Sequence, residues 1–222
     1  MGLVCAAILE SPDRTLPGGS VLGDAERGGP PTAGASPPVV HPAVRLWGHS
    51  AEDVSDLAQR RTSPRLPGFI LPESTDVALN DRAALRDAAV IVSAVPVQHT
   101  REAWSRVLPH VPPNARIISV AKGVENATLL RPTQIIAEVL GDDPDGPPRP
   151  IGCLSGPTIA TELSRCLPAT MVAASEFPGF AEQIQGMFST SWLRVYTHHV
   201  LLGVELAGAT KNVIAIAAGI LD

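Results

Sequence analysis

From Ala43 onward, short apolar runs alternate with longer amphipathic ones, and that alternation confines the chain to few folds. It predicts strands at about 44–47, 90–95, 116–120, 151–154, 170–174 and 193–196. It predicts helices at about 51–60, 100–107, 129–140, 157–164, 178–188 and 200–220. Strands that are apolar throughout, separated by helices, belong in a parallel sheet covered on both faces. The fold class is therefore α/β, with a doubly wound sheet. No internal repeat interrupts it.

The first 42 residues follow another rule. They hold seven prolines and seven glycines, a composition that opposes helix and sheet and reads as a disordered tail. Their one apolar stretch, 2–9, lacks the basic flank of a secretory signal, and Ala6 stands where a myristoylation pattern needs Ser or Thr. A net charge of -5 offers no broad field for nucleic acid or an anionic membrane. Cys5, Cys153 and Cys166 are too scattered for a disulfide framework or a metal cluster, which points to a reducing cytoplasm. The six histidines show no ligand spacing, so no metal site is expected. The 141–150 run (GDDPDGPPRP) lacks the spacing and closing Glu of a calcium loop and reads as a solvated turn. The 200–221 stretch is nearly long enough to span a bilayer, but Glu205 and Lys211 would each cost about 2.5–3.5 kcal/mol there. A buried helix of a soluble protein is the expectation.

Open parallel sheets bind ligands beyond the carboxyl ends of their strands. Four ends stand out: Gly48-His49, Ala94-Val95-Pro96, Ala121-Lys122-Gly123, and Ser155-Gly156-Pro157-Thr158. At the last, Gly156 permits close backbone approach and Pro157 suits a first helical position, so free N–H groups would face an anion. An ordinary strand-to-helix turn accounts for the same residues. Ser155 does not sit in a G-x-S-x-G elbow, and no His/Asp pair supports it as a nucleophile. Lys122 can reach a phosphate or substrate oxygen, or simply be solvated. Lys211 is the sharper case, because an ammonium within an apolar helix must be paired or functional. Glu205 lies six residues away, off the i+3 and i+4 positions, which weakens a simple ion pair and favours general acid–base work.

These segments, in this order, resemble the bacterial-type NAD(P)-dependent glycerol-3-phosphate dehydrogenases. The resemblance runs from about Val44 to the end. It is carried by Arg45-Leu46-Trp47-Gly48-His49, Leu66-Pro67-Gly68-Phe69, Ala94-Val95-Pro96, Ala121-Lys122-Gly123 and Leu154-Ser155-Gly156-Pro157-Thr158. Phe188 with Arg194-Val195-Tyr196, and Gly203-Val204-Glu205-Leu206 running into Lys211-Asn212-Val213-Ile214-Ala215, complete it. The resemblance implies a Rossmann-type domain over 43–197, followed at 198–222 by the start of an all-helical substrate domain. It implies reversible hydride transfer between NAD(P)H and dihydroxyacetone phosphate, giving sn-glycerol 3-phosphate for phospholipid synthesis. Lys211 is then the general acid–base group, with Asn212 orienting it. Lys122 touches substrate and cofactor, Gly156 and Thr158 line the substrate site, and His49 and Ala160 contact the cofactor. With no acid at Gly48-His49 to bind a ribose hydroxyl, NADP is expected to be tolerated beside NAD.

Two departures from the family pattern follow. The opening strand, glycine-rich loop and helix are absent: Gly18-Gly19-Ser20-Val21-Leu22-Gly23 has the wrong spacing and no preceding strand. That strand is the central one in the doubly wound order, so the sheet should lack its middle unless the 2–9 stretch substitutes for it. The chain also stops after the first long helix of the second domain, before the family's phosphate-gripping arginine. It reads as a fragment whose first 42 residues are foreign to the family. Alternatives are a dehydrogenase for another phosphorylated or hydroxy-acid substrate, and a non-catalytic remnant that dimerises through its last helix.

Overall fold

The computed structural model describes residues 43–141 and 149–221. The expectations for the 1–42 tail, the 2–9 stretch and most of the 141–150 loop lie outside these residues. The elements are β1 (Arg45–Leu46), α1 (Ala51–Arg60), β2 (Asp76–Val77), α2 (Asp81–Leu85), β3 (Val90–Ser93) and α3 (Val97–Val107). There follow β4 (Arg116–Ser119), α4 (Pro132–Leu140), β5 (Ile151–Ser155), α5 (Ala160–Leu163), β6 (Ala169–Ser175), α6 (Phe180–Phe188), β7 (Leu193–His198) and α7 (Leu201–Leu221).

Five strands form one sheet in the order β3-β4-β5-β6-β7, while β1 pairs only with β2 in a separate parallel ladder. β3, β4 and β5 are parallel, but β6 runs antiparallel to β5, with Ser155 opposite Val172. This corrects the all-parallel expectation. The segment joining β5 to β6 carries only the four-residue α5, too short to run back along the sheet, so the chain re-enters at the end it left.

The sheet buries a cluster on each face. Ile118, Val120, Leu154, Phe180, Ile184 and Phe188 lie on one side, and Trp104, Ile117 and Ile136 on the other. Consecutive residues of β4 thus point to opposite clusters, as the pleat requires.

Several helix starts differ from the sequence reading. α4 begins at Pro132, not 129, because Leu129 holds a left-handed φ of 59° and Pro132 occupies the first helical position. α5 begins at Ala160, so Pro157 sits in the turn before it. β2 and α2 were not expected. Asn80 nevertheless carries a start signal, since its side chain accepts from the Ala83 N–H at 2.8 Å.

Candidate active site

Past β4 the chain runs through Ala121 to Lys122 and Gly123. Gly123 has φ of 102°, and a Cβ there would meet Val97 at 3.2 Å, so glycine suits the turn on both counts. Beyond it the backbone is tied down. Gln98 Nε2 donates to the Val124 carbonyl at 2.8 Å, and Arg101 grips Glu125 through Nε at 3.0 Å and Nη2 at 2.9 Å. The bidentate Arg101 guanidinium, aided by the Thr128 hydroxyl, holds the Glu125 carboxyl below the usual carboxylate range. Half-buried Lys122 is thereby presented from a fixed turn at the carboxyl end of β4.

α7 docks across β5 and β6 through three contacts. Leu201 and Val204 pack on Cys153 and Ala174. Glu205, its side chain 2% exposed, receives Arg131 Nη1 at 2.5 Å. It also accepts from the Thr133 N–H at 3.1 Å and the Thr133 hydroxyl at 2.7 Å. Thr133 lies in the first turn of α4, so the carboxylate satisfies an N–H that the helix itself leaves free. Burial, reinforced by the Glu205 charge, pushes the Cys153 thiol up to about 12. The third contact is Gly208, where a Cβ would lie 2.7 Å from Ser155 Oγ and 3.6 Å from Lys122 Cγ. Glycine lets α7 rest directly on both side chains.

Lys211 follows Gly208 by three residues, on the same helical face. Lys122 and Lys211 are the only lysines among the chain's 17 basic residues, and Lys211 lies one helical turn beyond the glycine that rests on Lys122. Lys211 is half-buried rather than enclosed, and Asn212 is exposed with no hydrogen bond to it. The expectation of a buried helix is corrected here: only Leu201 and Glu205 of α7 are buried, while Val213, Ile214, Ile216 and Ile220 are each more than 60% exposed. By length and composition α7 could cross a membrane.

The remaining sequence-predicted residues divide. Gly156 adjoins Ser155, and packing alone demands glycine there, since a Cβ would meet the Thr170 carbonyl at 2.6 Å. Thr158 is buried, its N–H donating to the Gly156 carbonyl at 2.8 Å, and its hydroxyl has no partner among the described residues. Ala160 opens α5 and packs against the core, on the far side of Thr158 from Gly156 in sequence. His49 is exposed beyond β1, on the other ladder, where its carbonyl accepts from Arg106 Nη1 at 3.1 Å. Arg106 also pairs with Asp81 at 2.7 Å and lies 5.3 Å over the Trp47 ring.

Residues 32–181 match the family described as NAD-dependent glycerol-3-phosphate dehydrogenase N-terminus. The chain belongs to this family. It is 41% identical over 181 residues to a glycerol-3-phosphate dehydrogenase (NAD(P)+) of Koribacter versatilis, covering 81% of this chain and 53% of that one. The crystal structure of glycerol-3-phosphate dehydrogenase from Coxiella burnetii superposes with a TM-score of 0.71 at 30% identity, over 80% of this chain and 53% of the other. A GDP-mannose dehydrogenase from Pseudomonas aeruginosa shares the fold alone, with a TM-score of 0.62 at 11% identity over 79% and 45% of the two chains. The chain thus spans about half the length of the curated relatives it matches.

The family's dinucleotide finds only part of a site among the described residues. The strand ends and the start of α3 are in place, and the orphaned Thr158 hydroxyl faces no protein partner. A glycine-rich strand-to-helix turn that could cradle a pyrophosphate is not among them. The sequence reading missed Arg131 and Gly208. A buried glutamate in an apolar helix calls for a distant cation, but fold alone decides which arginine answers.

Proposed function

We propose that this chain carries the substrate-side chemistry of a glycerol-3-phosphate dehydrogenase: reversible hydride transfer between NAD(P)H and dihydroxyacetone phosphate, giving sn-glycerol 3-phosphate. The observation that carries this reading is that Gly208 rests on Lys122 while Lys211, the chain's other lysine, follows it by one helical turn. Arginine cannot give up its proton in a protein, whereas lysine can, so lysine is the residue for a proton transfer. The cofactor supplies the hydride when bound. Lys211 stabilises the charge that grows on the substrate oxygen and gives it a proton. Lys122 holds the substrate's anionic end, Gly156 and Thr158 form the adjoining wall, and Asn212 orients Lys211. On the cofactor side we assign His49, Lys122 and Ala160. With no acid at Gly48-His49 to bind a ribose hydroxyl, NADP is accepted beside NAD.

In this reading 43–197 is the cofactor domain without its first β-α unit, and 198–222 opens a helical substrate domain. The protein is cytoplasmic and α7 does not span a membrane. The exposed apolar half of α7 supports a homodimer, including the reading in which the chain only assembles; sedimentation across a concentration series tests that.

Reductive 13C-methylation gives two lysine resonances, assignable with Lys122→Arg and Lys211→Arg. Dihydroxyacetone phosphate should shift both, and NADPH oxidation with that ketone should vanish in Lys211→Arg. Two resonances that ignore the ligand would sink the assignment.

A further inference from the structure

β7 ends its sheet and pairs with β6 alone among the described residues. Successive residues of a strand turn their N–H and C=O groups to opposite edges. The Trp192 carbonyl accepts from the Ala169 N–H at 2.9 Å, so Arg194, Tyr196 and His198 address β6. Leu193, Val195 and Thr197 therefore address the outer edge. A bare edge of this kind is a template for another strand.

That edge is closed where it begins. Thr190, in the turn before β7, serves both groups of Leu193. Its hydroxyl accepts from the Leu193 N–H at 2.8 Å, and its N–H donates to the Leu193 carbonyl at 2.9 Å. The Val195 carbonyl is taken by Gln185 Nε2 at 2.6 Å. Gln185 stands on α6, whose Ile184 and Phe188 are buried in the core, so its amide is delivered from a fixed helix. At the other end the strand stops at His198, and α7 opens at Leu201. What remains of the outer edge of β7 is the Val195 N–H and both groups of Thr197.

We propose that Gln185 is an edge guard: its side-chain amide stands where the N–H of an added strand would bond, and it keeps β7 from pairing with the β7 of a second copy. Two such strands set antiparallel about Thr197 would exchange bonds at Thr197, and Val195 would lie opposite the residue that follows β7. With Gln185 in place only the bonds at Thr197 can form fully, too few to hold two chains together. The guard acts whether or not the chain transfers hydride, and whether or not α7 dimerises.

Gln185→Met keeps the length and helix propensity of the side chain and removes its donor. The readout is amide exchange of the intact chain at about 1 and about 100 μM, resolved residue by residue by mass spectrometry. In Gln185→Met the Val195 and Thr197 amides should slow at least about tenfold at the higher concentration. In the unaltered chain they should exchange at one rate throughout, as they should in Gln185→Lys, which restores a donor. Association through α7 leaves these two amides untouched. If both amides ignore concentration in Gln185→Met, Gln185 only ties α6 to the sheet and the proposal is overturned. Slowing already present in the unaltered chain also overturns it, because the edge is then open with the guard in place. Should Gln185→Met fail to fold, NMR of the unaltered chain decides. The Gln185 side-chain amide protons should exchange at least about tenfold more slowly than those of exposed Gln183, and equal rates refute the guard.

Discussion

Glu205→Ala would strip one member from a buried pair and leave Arg131 Nη1 and two donors of Thr133 without their acceptor. The carboxylate makes contacts of 2.5, 3.1 and 2.7 Å, with its side chain 2% exposed. Removing one partner of such a pair costs about 3–5 kcal/mol, mostly from the charge left behind. At about 2–4 °C per kcal/mol for a domain of this size, the melting temperature should fall by roughly 6–20 °C. Replacing both partners with apolar residues, as in Arg131→Met with Glu205→Leu, should recover the part owed to the stranded charge and leave the part owed to the two Thr133 donors. Urea unfolding measures the stability, and amide exchange locates it. The Leu201–Leu221 helix should exchange faster in Glu205→Ala, while β6 and β7 change only in step with global stability. A loss under about 1 kcal/mol with α7 exchange unchanged would mean that Leu201 and Val204 alone seat the helix, and the argument from burial would be wrong.

Gly208→Ala sets a helix-propensity gain of about 1 kcal/mol against a Cβ placed 2.7 Å from Ser155 Oγ. The expected net loss is about 1–2 kcal/mol, turning into a gain when Ser155→Ala is added, as urea midpoints would report. The Arg106 guanidinium, with Trp47, holds the Asp81 carboxyl below its ordinary range. Its contribution is complete above the unfolded value of about 4 and is lost as pH falls through the lower folded value. The stability gap between the unaltered chain and Asp81→Asn should therefore close on acidification, in pH-dependent urea titrations. Cys153, pushed up to about 12, does the reverse at high pH. The unfolded thiol ionises first, near 8.5, so stability should decline above that pH, and Cys153→Ala should remove that part of the decline.

The strands carrying the proposed site were legible because β4 and β5 are apolar runs, with the candidates Lys122 and Gly156 at their ends. Lys211 was legible for the opposite reason, a charge set in an apolar helix. What escaped depended on long-range geometry. β2 pairs through two residues, too few to leave a period, and was not predicted. The reversal at β6 follows from how little helix α5 contains, a length that Pro157 disguised by resembling a helix start. The burial assigned to α7 rested on its apolar composition, yet only its first turns find a surface to cover. Arg131 could not be singled out among many arginines until α4 placed its first turn beside Glu205.

Among the described residues β1 and β3 share no ladder, and the groups proposed for the site fall on both sides of that break. Lys122 is held by the Arg101–Glu125 pair, and α7, which carries Lys211, by the Arg131–Glu205 pair. Arg101 belongs to α3, Glu125 and Arg131 to the connection between β4 and α4, and Glu205 to α7, all of which lean on the five-stranded sheet. His49, by contrast, lies just past β1 of the β1–β2 ladder, where its carbonyl accepts from Arg106 of α3. Of the groups proposed for the cofactor, His49 alone depends on that ladder, whereas Lys122 and Ala160 lean on the five-stranded sheet. Arg106→Met, which removes the donor to the His49 carbonyl, should leave the response of Lys122 and Lys211 to dihydroxyacetone phosphate intact while weakening NADPH binding by about tenfold. Equal loss of both responses would mean that the two halves of the site fold as one unit.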